Sequence, residues 1–283
     1  MKILITGARG NVGRELSEHC KLLGDNVVAC SSADLDITEK DAVLRRVASE
    51  KCDAVVNCAA WTDVDGCEGD VTKNFAVNSA GVENLAIACR ENETSFLTIS
   101  TDFVFDGEKS GFYNEEDPTN PINQYGRAKL EGEQRAASAW RRSVIVRAGW
   151  VFGPYGKNFI STVDEQLRAG ETVTAISDSY GTPTYSADLA ARLRELLALD
   201  RPGIYHVANG GDGVSYAEFA RLAAPSGGQV IDIPGASLKR PARRPKNSRL
   251  ECLEILRAGL APLPPLNESL ARHLKRKSEA DHK

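Results

Sequence analysis

The chain has 283 residues, 42% hydrophobic and 26% charged, with a formal net charge of -4. That length suits one large domain or two small ones and buries roughly three quarters of the unfolded surface. The mild acidity gives no general attraction to nucleic acid or an anionic membrane, so any anionic ligand has to be held by local groups. The N-terminal apolar run from Ile3 to Ile5 is far too short for a signal peptide or a membrane span, which makes a cytoplasmic protein the expectation. Seven cysteines, at 20, 30, 52, 58, 67, 89 and 252, form no Cys-x-x-Cys pair and sit near no histidine ladder; they read as reduced core thiols, and no metal site is expected.

Lys2 to Thr6 (KILIT) predicts a buried strand, followed at once by Gly7, Gly10 and Gly13 and by a helical pattern through Leu16, Cys20 and Leu23 that Gly24 closes. Strand, glycine-rich turn and helix together aim backbone N–H groups and a positive helix end at a pyrophosphate, although the spacing here is G-x-x-G-x-x-G. Asn26 to Cys30 predicts a second strand. An NAD-selective site usually carries a carboxylate near the end of this strand, whereas Cys30, Ser31 and Ser32 stand here. With Arg9 in the glycine loop, the reading favours NADPH, with NADH possible. Asp36 is a candidate acceptor for the adenine amino group or, equally, a cap for the next helix.

Asp53 to Cys58 predicts a third strand, and Ala59 and Ala60 leave room for a close cofactor approach. The segment from Trp61 to Asp70 reads as a polar loop, and Val71 to Arg90 as one long amphipathic helix containing Asn78. Ser95 to Ser100 predicts the fourth strand and delivers Thr101 and Asp102 to the ligand-binding edge; Ser143 to Arg147 predicts a fifth and delivers Trp150. Between them Tyr125 precedes Lys129 by four residues at a helix start, so phenol and ammonium share a face. A cation there is expected to pull the phenol toward the working range as a proton donor, while Thr101 orients a carbonyl oxygen. A Tyr-x-x-x-Lys arises by chance roughly 0.3 times in such a composition, so its context has to carry the assignment.

Beyond residue 150, Phe159 to Arg168 and Ser186 to Leu199 read as helices, and Gly203 to Val207 and Gln229 to Ile233 as extended. Pro and Gly cluster between Pro225 and Pro265, and the tail from Lys275 to Lys283 is charged and expected to fray. The alternation predicts an α/β fold, a Rossmann-type doubly wound parallel sheet. Residues 1–150, completed by 183–207, are expected to form the NAD(P)-binding domain, and 151–182 with 208–283 a smaller substrate-binding lobe.

The segments TGARGNVG (6–13), LDIT (35–38), NCAAWTDVDGCE (57–68), VNSAG (77–81), ISTDFVFDG (99–107), NQYGRAKLEGE (123–133), RAGWVFG (147–153), GTPTYSADLA (181–190) and RRPKNSRL (243–250) resemble the extended short-chain dehydrogenase/reductases. Within them they resemble the dTDP-4-dehydrorhamnose reductase family. The resemblance implies a catalytic set of Thr101, Tyr125 and Lys129. It implies cofactor contacts at Gly10, Asn11, Val12, Asp36 and Ala59, and the cofactor site is expected to include Gly7, Arg9, Gly13, Ile37, Cys58, Ala60 and Asn78 as well as Tyr125 and Lys129. Sugar contacts are implied at Thr101, Asp102, Phe103 and Trp150. The expected reaction is NAD(P)H-dependent reduction of the C4 ketone of a dTDP-linked 6-deoxy sugar. Phe103, where Tyr is more usual, and Cys67, where Ala is more usual, depart from the pattern.

The basic stretch Lys239, Arg240, Arg243, Arg244 and Lys246 is interrupted by prolines in an acidic chain. It reads better as a clamp for a nucleotide-sugar diphosphate, with Arg244 its candidate contact, than as a nucleic-acid signal, and a solvated loop is the plain alternative. A dehydratase would want a carboxylate pair beside Thr101, and Phe103 cannot move a proton. An epimerase-reductase would need a further Cys or His pair; His19, His273 and His282 lie in helix or tail, and His206 reads as a packed strand histidine. Two alternatives stay open: a reductase of another nucleotide-linked keto-deoxysugar, and a non-catalytic NADP-binding partner similar to the regulatory subunit of methionine adenosyltransferase. Monomer or homodimer is expected.

Overall fold

A computed structural model describes residues 1–224 and 228–281. Its strands are β1 (Lys2–Thr6), β2 (Asn26–Cys30), β3 (Ala54–Asn57), β4 (Ser95–Thr101), β5 (Ser143–Ala148), β6 (Val151–Phe152), β7 (Val173–Ile176), β8 (Tyr180–Gly181), β9 (Thr184–Tyr185), β10 (Gly203–His206), β11 (Val214–Ser215) and β12 (Val230–Ile233). The helices are α1 (Asn11–Leu22), α2 (Lys40–Glu50), α3 (Val64–Gly69), α4 (Val71–Phe75), α5 (Gly81–Glu91), α6 (Gln124–Ala139), α7 (Phe159–Arg168), α8 (Ser186–Leu199), α9 (Tyr216–Ala223), α10 (Leu253–Arg257) and α11 (Leu266–Asp281).

Six strands form one parallel sheet in the order β10-β5-β4-β3-β1-β2. Alternation along the strands feeds two cores. Ile3, Ile5 and Val56 point to the face covered by Leu16 and Cys20 of α1 and Leu189, Leu193 and Leu196 of α8. Leu4, Val55 and Phe96 point to the face covered by Val43 and Val47 of α2, Leu85 of α5 and Ala136 of α6. A parallel sheet wrapped on both faces has to bury both side-chain rows, which is why these strands read as nearly continuous apolar runs. The chain leaves β1 toward β2 and then returns to β3 on the other side of β1, so a crevice opens between the carboxyl ends of β1 and β3.

Smaller pairings, β6 with β9, β7 with β12 and β8 with β11, accompany α7, α9 and α11. They pack around Phe152, Ile160, Tyr185 and Phe219, and around Val163, Leu167 and Val173.

Three expectations need correction. The segment expected as a loop contains α3, whose first turn is capped by Asp63 accepting from the Gly66 N–H at 3.0 Å. The expected single helix from Val71 to Arg90 is α4 and α5 joined by a π-helical turn, Ala76–Ala80. The C-terminal tail is not frayed from Lys275: α11 runs to Asp281, held by Arg276 to Glu15 at 2.6 Å and Arg272 to Asp188 at 2.7 Å. Pro225, His282 and Lys283 lie outside the described residues. No helix among the described residues is long and apolar enough to cross a membrane.

Candidate active site

Gly7 has φ +64°, and a Cβ there would stand 2.6 Å from the backbone of Cys58 and Ala59. A Cβ on Gly13 would stand 2.3 Å from the Gly7 carbonyl oxygen. The glycine loop therefore lies directly on the end of β3. A polar ladder ties the strand ends together: Thr6 Oγ1 donates to Asn57 Oδ1 at 2.7 Å, which also accepts from the Ala59 N–H at 3.1 Å, and Asn57 Nδ2 donates to Thr98 Oγ1. Helix α1 starts at this loop with Gly10 as its N-cap, without a capping side chain and without an acidic residue in its first turn. Free N–H groups at an uncapped helix start favour an anion, and these residues fit a dinucleotide's diphosphate.

A cleft of about 450 Å³ runs from this loop to the end of β4. It gathers Gly10, Asn11, Val12, Gly13, Cys58, Ala59 and Ala60 at one end and Thr101, Asp102, Phe103, Tyr125, Lys129 and Trp150 at the other. Gly7 shapes the loop from behind. Arg9 is exposed outside the cleft. Asp36 is exposed, with its carboxylate accepting from the Thr38 N–H and hydroxyl, and the Ile37 side chain is packed in the core. Asn78, in the π-helical turn, spends its amide on Trp61: Oδ1 accepts from the Trp61 N–H at 3.1 Å and Nδ2 donates to the Trp61 carbonyl at 2.9 Å. It shapes the segment after β3 instead of lining the cleft. A carboxylate does reach the end of β2: Asp34 Oδ2 accepts from the Ser31 N–H at 2.8 Å and the Ser31 hydroxyl at 2.6 Å, and Arg9 lies close enough to favour its charge.

Helix α6 is fixed at its start by Asn123, which accepts from the Gly126 N–H at 2.7 Å and donates to the Arg243 carbonyl at 2.8 Å. A Cβ on Gly126 would stand 2.2 Å from the Phe103 carbonyl oxygen, so the helix rides directly on the segment after β4. That contact sets the phenol of Tyr125 beside Thr101, with the Phe103 ring edge-on to it at 6.1 Å.

The electrostatics differ from the sequence expectation. Burial raises the Tyr125 pKa, opposed by the Thr101 hydroxyl beside the phenolate position. Lys129 Nζ instead donates to the Ile99 carbonyl at 2.7 Å, and burial brings its pKa down to about 8 against the pull of Glu133. Glu133 itself is engaged by Arg147, bidentately at 2.9 and 2.7 Å, in a fully enclosed pair. The Thr101 hydroxyl donates to Asp102 Oδ1 at 3.0 Å and accepts from the Phe103 N–H at 3.2 Å. Burial pushes Asp102 up to about 6, opposed first by the neighbouring Ser248 hydroxyl and then by Thr101.

Trp150 adopts φ +48°, a left-handed conformation costing on the order of 1–3 kcal/mol that packing has to hold. Tyr216 stacks on its ring at 3.6 Å, and Gly181 has no room for a Cβ against it. Arg244 forms a bidentate pair with Asp65 at 2.5 and 2.8 Å and, with Arg240, lines a 250 Å³ extension that shares Val64, Phe103 and Tyr216 with the main cleft. Sequence reasoning missed Tyr155, Lys157 and Asn158, which line the cleft from the turn before α7, and Tyr216 at the start of α9. A lone lysine in a glycine-rich turn carries no signal of its own. His206 is a packed strand histidine whose burial lowers its pKa to about 3.

A parallel sheet with a glycine cradle at its switch point and a Thr, Tyr and Lys set at the end of β4 defines a Rossmann-type oxidoreductase. The family model described as "RmlD substrate binding domain" matches residues 1–279, and the chain belongs to that family. It is 38% identical over 277 residues to a dTDP-4-dehydrorhamnose reductase of Mycolicibacterium smegmatis, covering 95% of this chain and 84% of that protein. It is 36% identical over 267 residues to a dTDP-4-keto-6-deoxy-D-glucose reductase of Streptomyces niveus, covering 92% of each. Among solved structures, a dTDP-4-dehydrorhamnose reductase ortholog from Clostridium acetobutylicum superposes with a TM-score of 0.94 at 34% identity, over 98% of this chain and 100% of that one. A dTDP-4-dehydrorhamnose reductase from Bacillus anthracis in complex with NADP gives 0.93 at 30% identity, over 97% and 99%.

Proposed function

We propose that this protein is an NAD(P)H-dependent reductase of the C4 ketone of a dTDP-4-keto-6-deoxy sugar, turning dTDP-4-dehydro-L-rhamnose into dTDP-L-rhamnose. The observation that carries the reading is the shared cleft: the glycine cradle and the Thr101, Tyr125, Lys129 set open into one space, in a chain whose relatives are named for this reaction. NADPH, the reduced form of the NADP bound in the Bacillus anthracis neighbour, would supply the hydride for the ketone carbon.

The chain's own residues do the rest. Gly10, Asn11, Val12 and Gly13 receive the diphosphate on the helix start, and Cys58, Ala59 and Ala60 flank the dinucleotide. Tyr125 gives its proton to the ketone oxygen as that oxygen gains charge. Lys129, protonated below about pH 8, presents a cation to the ribose beside the nicotinamide. Asp102 and Trp150 hold the sugar. Arg240 and Arg244, at the mouth of the 250 Å³ extension, face the sugar's diphosphate, with Asp65 keeping the Arg244 guanidinium flat and oriented. In this reading residues 1–150 with 183–207 act as the dinucleotide-binding half and the remainder as the sugar-binding half.

The test is Tyr125→Phe. It removes one oxygen from a buried ring, so NADPH binding by fluorescence titration stays near the wild-type value while kcat falls about 10²–10⁴-fold. Turnover within threefold of wild type removes Tyr125 as the proton donor. A second sugar is favoured by the Streptomyces niveus relative, so the 4-keto-6-deoxy-D-glucose nucleotide belongs in the same assay, with the product configuration read by NMR.

A further inference from the structure

The proton that Tyr125 gives away has to be replaced in every cycle, and the surroundings of the phenol restrict how. Tyr125, Thr101, Asp102, Lys129 and Ser248 are each at most 8% exposed, before any ligand has entered the cleft. A phenolate left there is disfavoured by burial, and the Thr101 hydroxyl favours it. Behind that hydroxyl, at 3.0 Å, stands a carboxyl whose second oxygen, Oδ2, is buried without a hydrogen-bonding partner. A buried, half-unpartnered carboxylate is costly, and taking up a proton relieves the cost.

Resting on the reductase reading above, we propose that Asp102, through the Thr101 hydroxyl, returns to Tyr125 the proton lost in each turnover, with Ser248 as the positioning residue beside the carboxyl. The balance is simple. In the reduction, the Tyr125 O–H bond breaks as the ketone oxygen takes the proton and the ketone carbon takes the hydride, leaving NADP and an alcohol. The Thr101 Oγ–H proton then passes to the phenolate while the Asp102 carboxyl proton passes to Thr101 Oγ. Asp102 is left as a carboxylate that accepts from the Thr101 hydroxyl, and water reloads it once the product has left.

The surroundings suit a proton store. Asp102 makes no ion pair with any lysine or arginine among the described residues. Against it stand Thr101 from β4, Tyr125 from α6, Tyr216 from α9, the Ser248 hydroxyl, and Gly149, where a Cβ would stand 2.5 Å from the carboxyl carbon, while the charged Arg240 and Arg244 act on Tyr216 from its far side, in the outer extension. Burial brings the group up to about 6, close enough to neutrality to be reloaded from water. The RRPKNSRL segment (243–250) thereby gains a second use. Arg244 faces the outer extension, and Ser248, four residues on, backs the carboxyl.

The experiment uses the full chain with NADPH and dTDP-4-dehydro-L-rhamnose in a rapid-mixing instrument, comparing wild type with Asp102→Asn. The amide keeps the shape and the hydrogen bond to Thr101 but holds no transferable acid proton. At saturating sugar, the expected variant oxidises about one NADPH per site in a first phase and then slows at least tenfold relative to that phase, while tyrosinate absorbance in the near ultraviolet rises in step with the first turnover. Ser248→Ala is the second arm. Losing a hydroxyl that favours the charged carboxyl raises its proton affinity, so the alkaline fall of the steady-state rate moves to higher pH. An Asp102→Asn protein that changes only KM, or that slows its first and later turnovers equally without tyrosinate, overturns the relay and leaves Asp102 as a sugar contact. Should that variant fail to bind NADPH, an unshifted alkaline limb in Ser248→Ala overturns it instead. Wild-type protein that oxidises no NADPH with this sugar overturns both the relay and the reductase reading.

Discussion

Lys129 is the residue whose environment departs most from what four-residue spacing suggests. Its ammonium is buried against the Ile99 carbonyl, with Glu133 one helical turn away already held by Arg147. The folded chain therefore releases this proton at about 8, while the unfolded chain holds it to 10.5. Below about pH 8 both states are protonated, and the fold bears the full cost of a buried charge. Between 8 and 10.5 the unfolded state binds more protons, so stability rises with pH, and above 10.5 the cost is gone. Lys129→Met lacks the group. In urea melts at pH 8 and at pH 10.5, wild type should gain midpoint relative to Lys129→Met as pH rises, and parallel pH dependence in the two proteins would show that the lysine is not titrating in a buried site. Burial likewise raises the Tyr125 phenol, the opposite direction to the one four-residue spacing alone suggests.

At the scale of elements, the π-helical turn between α4 and α5 is the feature that shapes the cleft wall. It places Asn78 where both ends of its amide close on Trp61, and it leaves the Asn78 carbonyl under Gly132 of α6, which has no Cβ to obstruct it. Asn78→Ala strands the N–H and carbonyl of Trp61 and should cost about 1–3 kcal/mol in urea unfolding, with a weaker NADPH affinity because the Ala59–Trp61 segment loses its support. An unchanged midpoint would mean that water or a rearranged turn replaces the amide. The inner strands β1, β3, β4 and β5 were legible because they bury both faces and read as apolar runs, and the glycine loop because only glycine fits its contacts at Gly7 and Gly13. The π-helical turn was not, since one extra residue in a helix leaves an amphipathic pattern almost intact. Helix α3 was hidden by its polar, six-residue length. The inner end of the cleft followed from residues at strand ends; Tyr155, Lys157 and Tyr216 arrive through long-range folding that spacing does not encode. Asp34 was missed for a similar reason, since its return to Ser31 is a property of the turn and not of the strand.

Across the whole molecule, α11 is the member that ties the two faces of the cleft together. Arg272 binds Asp188 of α8, Lys277 binds Asp164 of α7, and Arg276 reaches Glu15 and Glu18 of α1 and the hydroxyl of Tyr155. Tyr155 lines the cleft, with the Arg14 guanidinium over its ring at 4.1 Å and its hydroxyl on Glu18 at 2.9 Å. The turn that carries Lys157 over the cleft is thus fastened to the same helix whose start receives the dinucleotide, and Arg276 is the shared fastener. Its side chain is partly exposed, so solvent screens the pairs and their combined worth is on the order of 1 kcal/mol. Glu15 is different, being nearly enclosed, with burial already raising its pKa and Arg276 opposing that rise. In Arg276→Met the enclosed carboxylate loses its cation and takes up a proton more readily, while the Tyr155 turn keeps only the Arg14 and Glu18 contacts. The expected result is about a fivefold weaker NADPH affinity by fluorescence titration, with kcat at saturating cofactor within twofold of wild type because Thr101, Tyr125 and Lys129 are untouched. A loss of kcat with unchanged affinity would place the effect of α11 in the chemistry, against a fastening role for Arg276 at the dinucleotide end.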